Sequence, residues 1–138
     1  MESDELLTIG AVAERAGVAT SALRYYERRG LVPAPVRISG QRRYTQADLR
    51  RIVFIGMLQD AGLTLDDIDG ILRARRVAEW KVIARERRSA LHAEIEALEQ
   101  MEALLDGALL CRFDHPLSEC KIMGHEIDRR LAQPELSS

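Results

Sequence analysis

Long apolar runs are missing from the chain. Nowhere does it hold the roughly 20 consecutive apolar residues that a membrane span needs, and it has no signal-peptide pattern. No membrane partner is expected, and the protein is read as cytoplasmic. Cysteine is almost absent: Cys111 and Cys120 are the only two. That excludes a disulfide scaffold, and iron–sulfur ligation is disfavoured because clusters usually take four cysteines. The chain also lacks a glycine-rich phosphate cradle and any carboxylate constellation beyond helix caps. Cys111, His115 and Cys120 have no recognisable partner to orient a nucleophile and base, so an enzyme is not expected. A net charge of −2 supplies no bulk attraction for a polyanion.

The distribution of charge says something different from its total. Between Ala11 and Arg51 nine arginines face three acids, a net of +6, whereas Lys81 to Ser138 carries −3. The positive field is concentrated where two short helical patterns meet. Thr8 is a good N-cap, and Ile9, Val12, Ala13 and Ala16 follow at helical spacing until Gly17 breaks the pattern. Thr20 or Ser21 caps a second helix with Ala22, Leu23 and Tyr26 inward, which Gly30 and Pro33 end.

Two helices joined at a glycine have the helix-turn-helix geometry, in which the amino end of the second helix enters the major groove. Thr20 and Ser21 would then point toward the bases. Arg24, Tyr25, Arg28 and Arg29 would lie on exposed faces, within reach of phosphates or base edges. From Val36 to Tyr44, Ser39-Gly40 marks a turn flanked by Arg37, Arg42 and Arg43, which reads as a hairpin wing reaching the flanking backbone. Double-stranded DNA is the expected partner.

Thr45 with Asp48, and Thr64 with Asp66 and Asp67, cap two further helices that end near Gly62 and Leu72; these acids serve the helix dipoles. From Arg75 to Leu110 glycine and proline are missing except for Gly107. Ala84, Leu91, Leu98 and Leu105 recur every seven residues, with Ile95, Met101, Ala108 and Leu109 beside them. A rod of this kind cannot bury its stripe against itself. A second copy related by two-fold symmetry is the expected partner, and a pseudo-palindromic DNA site follows. Trp80, near its start, is read as the anchor between rod and DNA-binding domain.

Both thiols follow the rod in CRFDHPLSECKIMGHEI. Eight intervening residues allow the two sulfurs to meet one ion, and Arg112 and Lys121 favour thiolates. Two thiolates suit Cu(I) or Hg(II), whereas His115 as a further ligand moves the preference toward Zn(II). Oxidation or electrophile attack on the same pair is the alternative chemistry. A third alternative is a DNA binder with no effector. The acidic stretch Met1 to Glu5 is expected to be disordered. Gln133 to Ser138 reads as a polar tail with no large ligand domain.

The runs TIGAVAERAGVATSALRYYERRGLV, GQRRYTQADLRRIVFI and LTLDDIDGIL also resemble the MerR-type family of bacterial transcription regulators, from Leu7 to about Leu110. The resemblance implies a mainly α protein: a winged helix-turn-helix DNA-binding domain over 1–75, a long antiparallel coiled-coil dimerisation helix over 76–110, and a short effector-sensing loop and tail over 111–138. It implies that Arg24 and Tyr25 make recognition-helix contacts, that Arg42 and Tyr44 lie on the wing, and that Tyr26 packs beneath the helix. It further implies promoter activation by DNA distortion that lets RNA polymerase engage. Metal-sensing members bind their ion with a cysteine pair at this place, and zinc sensors add a histidine where His115 stands. Many also contribute a cysteine from the start of the partner's long helix; here Arg76, Val77, Glu79 and Trp80 occupy that region.

Overall fold

Helix boundaries in this chain are set by caps that the sequence displays. In the computed structural model, which describes residues 5–112 and 114–133, Thr8 has extended backbone and its hydroxyl accepts from the Ala11 amide at 3.1 Å. Helix α1, Ile9–Ala16, therefore starts with one orphan amide satisfied. Gly17 closes it at φ 71°, a left-handed conformation that a β-carbon would disfavour. Its amide and that of Val18 return to the Glu14 and Ala13 carbonyls.

Helix α2, Thr20–Arg28, starts one residue earlier than a Thr20 or Ser21 cap implies. Ala19 is its N-cap and supplies no side-chain hydrogen bond. The start is determined by the turn after Gly17 and by burial of Leu23 and Tyr26 rather than by a capping hydroxyl. The expectations for Met1–Glu5 and for the polar tail lie almost entirely outside the described residues.

The wing forms as the turn signal predicts. Strands β2, Val36–Ile38, and β3, Gln41–Tyr44, pair antiparallel with Ile38 opposite Gln41. Ser39 and Gly40 both take positive φ, the geometry of a two-residue hairpin turn. A further strand, β1, Leu7–Thr8, pairs with the other edge of β3 and completes the sheet order β1-β3-β2. Two residues are too short to show any alternation, so the sequence alone did not reveal this strand.

Helices α3, Gln46–Asp60, and α4, Leu65–Arg73, each begin with a full capping box, Thr45 with Asp48 and Thr64 with Asp67. Val12, Leu23, Leu31, Val32, Tyr44, Ile52, Ile55 and Ile68 form the centre of the core. The Tyr26 hydroxyl donates to Gln59 Oε1 at 2.6 Å, tying α2 to α3 beneath the recognition surface. Helix α3 also presents Val53, Phe54 and Met57 outward, beyond the inward face formed by Leu49, Ile52 and Ile55.

Helix α5, Val77–Leu109, runs for 33 residues, about 50 Å at the α-helical rise. Two compact units divide within it, one ending at Arg87 and the other beginning at Arg88. In the first unit the start of α5 is held by Ile83, which packs against the core, and by Arg87, whose Nε donates to the Ala61 carbonyl at 2.7 Å. Gly70 permits the approach, since a β-carbon there would lie 2.9 Å from Ile83 Cδ1. Trp80 does not do the anchoring assigned to it from sequence. It is 39% exposed, with the Lys81 ammonium 5.8 Å from its ring centre, and the side chains of this helix that meet the core are those of Ile83 and its neighbours toward Arg87.

The second unit holds the rest of α5, the short α6, Pro116–Glu119, and α7, Lys121–Leu131. Ile122 packs where a side chain on Gly107 would stand. Along the rod Ile95, Leu98, Met101, Leu105 and Leu109 are each more than half exposed, leaving the heptad stripe open. Among the described residues no helix is long and apolar enough to cross a membrane.

Candidate nucleic-acid interface and thiol loop

The exposed side of α2 carries the expected basic and aromatic cluster. Ser21, Arg24, Tyr25, Arg28 and Arg29 are exposed, and Thr20 is half-buried at the amino end. The Arg28 and Arg29 guanidinium groups stand 5.5 and 5.7 Å from the Tyr25 ring centre. Arg29 also donates to the Tyr25 hydroxyl at 3.1 Å and pairs with Asp66 of α4 at 2.7 Å. Arg29 is therefore committed to holding the end of α2.

On the wing Arg37 donates to the Gly40 carbonyl at 3.2 Å, bracing the turn. Arg43 donates to the Arg42 carbonyl at 3.0 Å and to Gln41 Oε1 at 3.3 Å. Between α2, β1 and the wing lies a cleft of about 400 Å³, lined by Thr8, Ile9, Arg24, Gly40, Gln41 and Arg43 together with Arg42. The amino terminus of α1 opens into the same cleft. Helix amides and guanidinium groups together suit a phosphate of a DNA backbone.

Arg42 and Tyr44 are placed differently from the expectation that both meet DNA. Tyr44 is fully buried, and its phenol donates to one carboxylate oxygen of Glu27. Arg42 Nε donates to the other carboxylate oxygen at 3.0 Å. Burial first, then the Glu27 carboxylate, pushes the Tyr44 phenol well above its usual range, so it stays protonated as a donor. The wing's pairing with β1 puts both side chains on the inner side, where Glu27 collects them. Glu27 escaped the sequence reading, although an acid kept among nine arginines was a signal that one of them has a neighbour to satisfy.

In the second unit Cys120 is buried at the N-cap of α7, and Cys111, half-buried, is hydrogen-bonded to it. The Met123 amide, with Cys111 and the Ile122 amide, holds the Cys120 thiol below its ordinary range against the opposing effect of burial. His115 is exposed at the N-cap of α6. Among the described residues no third His, Cys, Asp or Glu joins the thiols in a group able to hold an ion. Farther along α7, Glu126 pairs with Arg129 and Arg130 at 2.5 and 2.6 Å, and the two arginines hold its carboxyl down to about 2.

A helix-turn-helix with a basic recognition face, a wing on a three-stranded sheet and a long exposed-stripe helix defines a DNA-binding transcription regulator of the winged helix-turn-helix class. Residues 7–75 match the family model described as MerR HTH family regulatory protein, and residues 49–108 match the one described as MerR, DNA binding. The chain is 33% identical to a mercuric resistance operon regulatory protein of Bacillus cereus, over 83% of this chain and 92% of that one. It is 35% identical to an HTH-type transcriptional activator, a SoxR homolog of Chromobacterium violaceum, over 78% of this chain and 77% of that one. Among solved structures it superposes on HiNmlR, a MerR family regulator lacking the sensor domain and bound to promoter DNA. That match has a TM-score of 0.59 and 26% identity over 77% of this chain and 85% of that one. The chain belongs to the MerR family of transcription regulators, and its relatives are regulators rather than enzymes.

Proposed function

We propose that the protein is a homodimeric promoter activator switched by a soft metal ion held between Cys111 and Cys120. Two copies pair antiparallel through the exposed stripe of α5, and their two α2 helices read a pseudo-palindromic promoter in the cytoplasm. Thr20, Ser21, Arg24, Tyr25 and Arg28 face the groove, with Arg37 and Arg43 on the flanking backbone. The observation that carries the metal assignment is the hydrogen-bonded thiol pair, which brings two soft donors together with one of them buried. Two sulfurs fit Cu(I) or Hg(II) better than Zn(II), which prefers four ligands. Similarity to a mercuric resistance regulator supports the same class of inducer.

Ion capture acts on transcription only if it favours one arrangement of the dimer over another. The favoured arrangement distorts the promoter so that RNA polymerase engages it. Such deformation costs on the order of a few kcal/mol, within what metal coordination supplies.

The test is anaerobic titration of the reduced dimer with Cu(I), Hg(II) and Zn(II), counting bound ion and unreacted thiols, beside a peroxide-treated sample. Stoichiometric binding of a soft ion that protects both thiols is expected. In a reporter assay Cys111→Ser and Cys120→Ser are expected to keep promoter binding and lose induction. Failure to bind any ion, with ready formation of a Cys111 to Cys120 disulfide, would instead make the pair a thiol redox sensor. Induction that survives both substitutions would leave a DNA binder without this effector.

A further inference from the structure

We infer that one flank of α5 is a self-recognition surface, whose charges admit a second copy of this chain in a single antiparallel register and reject chains with a different charge pattern. The inference rests on the dimer proposed above and names the residues that choose its partner. Residues 77–92 of α5 hold Lys81, Arg85, Arg87 and Arg88 against Glu79 and Glu86, whereas 93–109 hold Glu94, Glu96, Glu99, Glu102 and Asp106 and no Lys or Arg. Left to itself the second half is unfavourable in two ways. Glu99, Glu102 and Asp106 follow one another at i+3 and i+4 spacing, where like charges repel, and Asp106 lies in the last turn, at the negative end of the helix dipole. Among the described residues these three acids are exposed and have no side-chain hydrogen-bond or ion-pair partner, and Arg129 and Arg130 of α7 are committed to Glu126. Arg85 and Arg88 are equally exposed and unpaired, and the Lys81 ammonium lies beside the Trp80 ring.

The spacing of these charges points to what answers them. Lys81, Arg85 and Arg88 are separated by four positions and then three, and Asp106, Glu102 and Glu99, read backwards, are separated by four and then three. A second copy laid antiparallel with the helix ends level, Val77 beside Leu109, seats Leu91 against Ile95 and Ala84 against Glu102. In that register Lys81, Arg85 and Arg88 come within one residue of level with Asp106, Glu102 and Glu99 of the second copy, and the two-fold axis repeats each pair. Glu102, which interrupts the apolar stripe, thus meets a small stripe residue and the arginine next to it. A parallel pair sets acids against acids, and a shift by one heptad keeps one of the three pairs. Flanking charges of this kind decide which chains pair, and in what orientation, more than how tightly they pair.

The experiment uses the full reduced chain. Circular dichroism checks folding, sedimentation equilibrium measures pairing, and native mass spectrometry identifies which chains have paired. An acidic variant carries Lys81→Glu, Arg85→Glu and Arg88→Glu; a basic variant carries Glu99→Lys, Glu102→Lys and Asp106→Lys. Each alone is expected to dimerise about 100-fold more weakly than wild type, because like charges then face each other. An equimolar mixture should form a one-to-one pair within about tenfold of the wild-type affinity, since every acid again faces a base. A chain carrying all six substitutions should pair with itself and refuse the wild type.

If either triple variant does not fold, Arg85→Glu and Glu102→Lys carry the same test, each weakening the homodimer about tenfold and the mixture restoring it. Variants that self-pair as tightly as wild type would overturn the inference while leaving the dimer in place. So would folded variants that stay single when mixed, or a pair between wild type and the six-substituted chain, which a parallel arrangement would give. A wild-type chain that sediments as a monomer would remove the proposed dimer, and this inference with it.

Discussion

Arg87 and Gly62 share one space. The Arg87 guanidinium donates from Nε to the Ala61 carbonyl at 2.7 Å, and its Nη2 lies where a β-carbon on Gly62 would collide with it. A long helix is thereby fastened to the end of α3 by a side chain that needs its neighbour to have none. Gly62 itself sits at φ 89°, where residues with a β-carbon are strained.

Gly62→Ala should therefore destabilise the chain by about 1–3 kcal/mol, combining the left-handed backbone penalty with a displaced arginine. Urea denaturation of the two proteins checks this. A loss no larger than a few tenths of a kcal/mol would show that α5 is not held at this point.

Arg24 lines the cleft beside the wing and is exposed on α2. Arg24→Ala should weaken binding to any duplex and flatten the salt dependence by about one in slope, the mark of one lost phosphate neutralisation. Anisotropy titrations at several salt concentrations measure both quantities. Unchanged affinity would remove this face of α2 from the DNA.

Acid should act on α7 through Glu126. Its carboxyl is held at about 2 in the folded chain against an ordinary 4.5, first by the hydrogen bond from Arg129 and then by that from Arg130. Because the folded value is depressed, the stabilisation is fully present above the ordinary value and is lost as pH falls from there toward 2. Wild type and Glu126→Gln should accordingly differ in thermal midpoint at neutral pH and converge in acid. A gap that persists at the acid end would place the effect of the substitution outside this ion cluster.

How much of this was legible in the chain depends on the range over which each interaction acts. Thr8, Thr45 and Thr64 announced three helix starts, because a capping hydroxyl answers an amide only three residues on. Gly17, Gly30 and the Ser39-Gly40 pair announced where the chain must turn, because positive φ is a property of the residue itself. The heptad stripe of α5, interrupted on one side by Glu102, and the proximity of the two cysteines were equally local. From these alone follow the helix-turn-helix, the wing, the rod and the thiol loop.

The pairings that decide what each arginine does were not local. Arg42 meets Glu27 across 15 positions, Tyr44 meets it across 17, and Arg87 reaches Ala61 across 26. Nothing in the neighbourhood of Arg42 distinguishes it from Arg43, yet both line the cleft and Arg42 is the one that pairs with Glu27. The two-residue strand β1 and the Ala19 start of α2 have the same origin. Each follows from burying Leu23, Tyr26, Tyr44 and Ile83 against one core, which only the assembled tertiary structure defines.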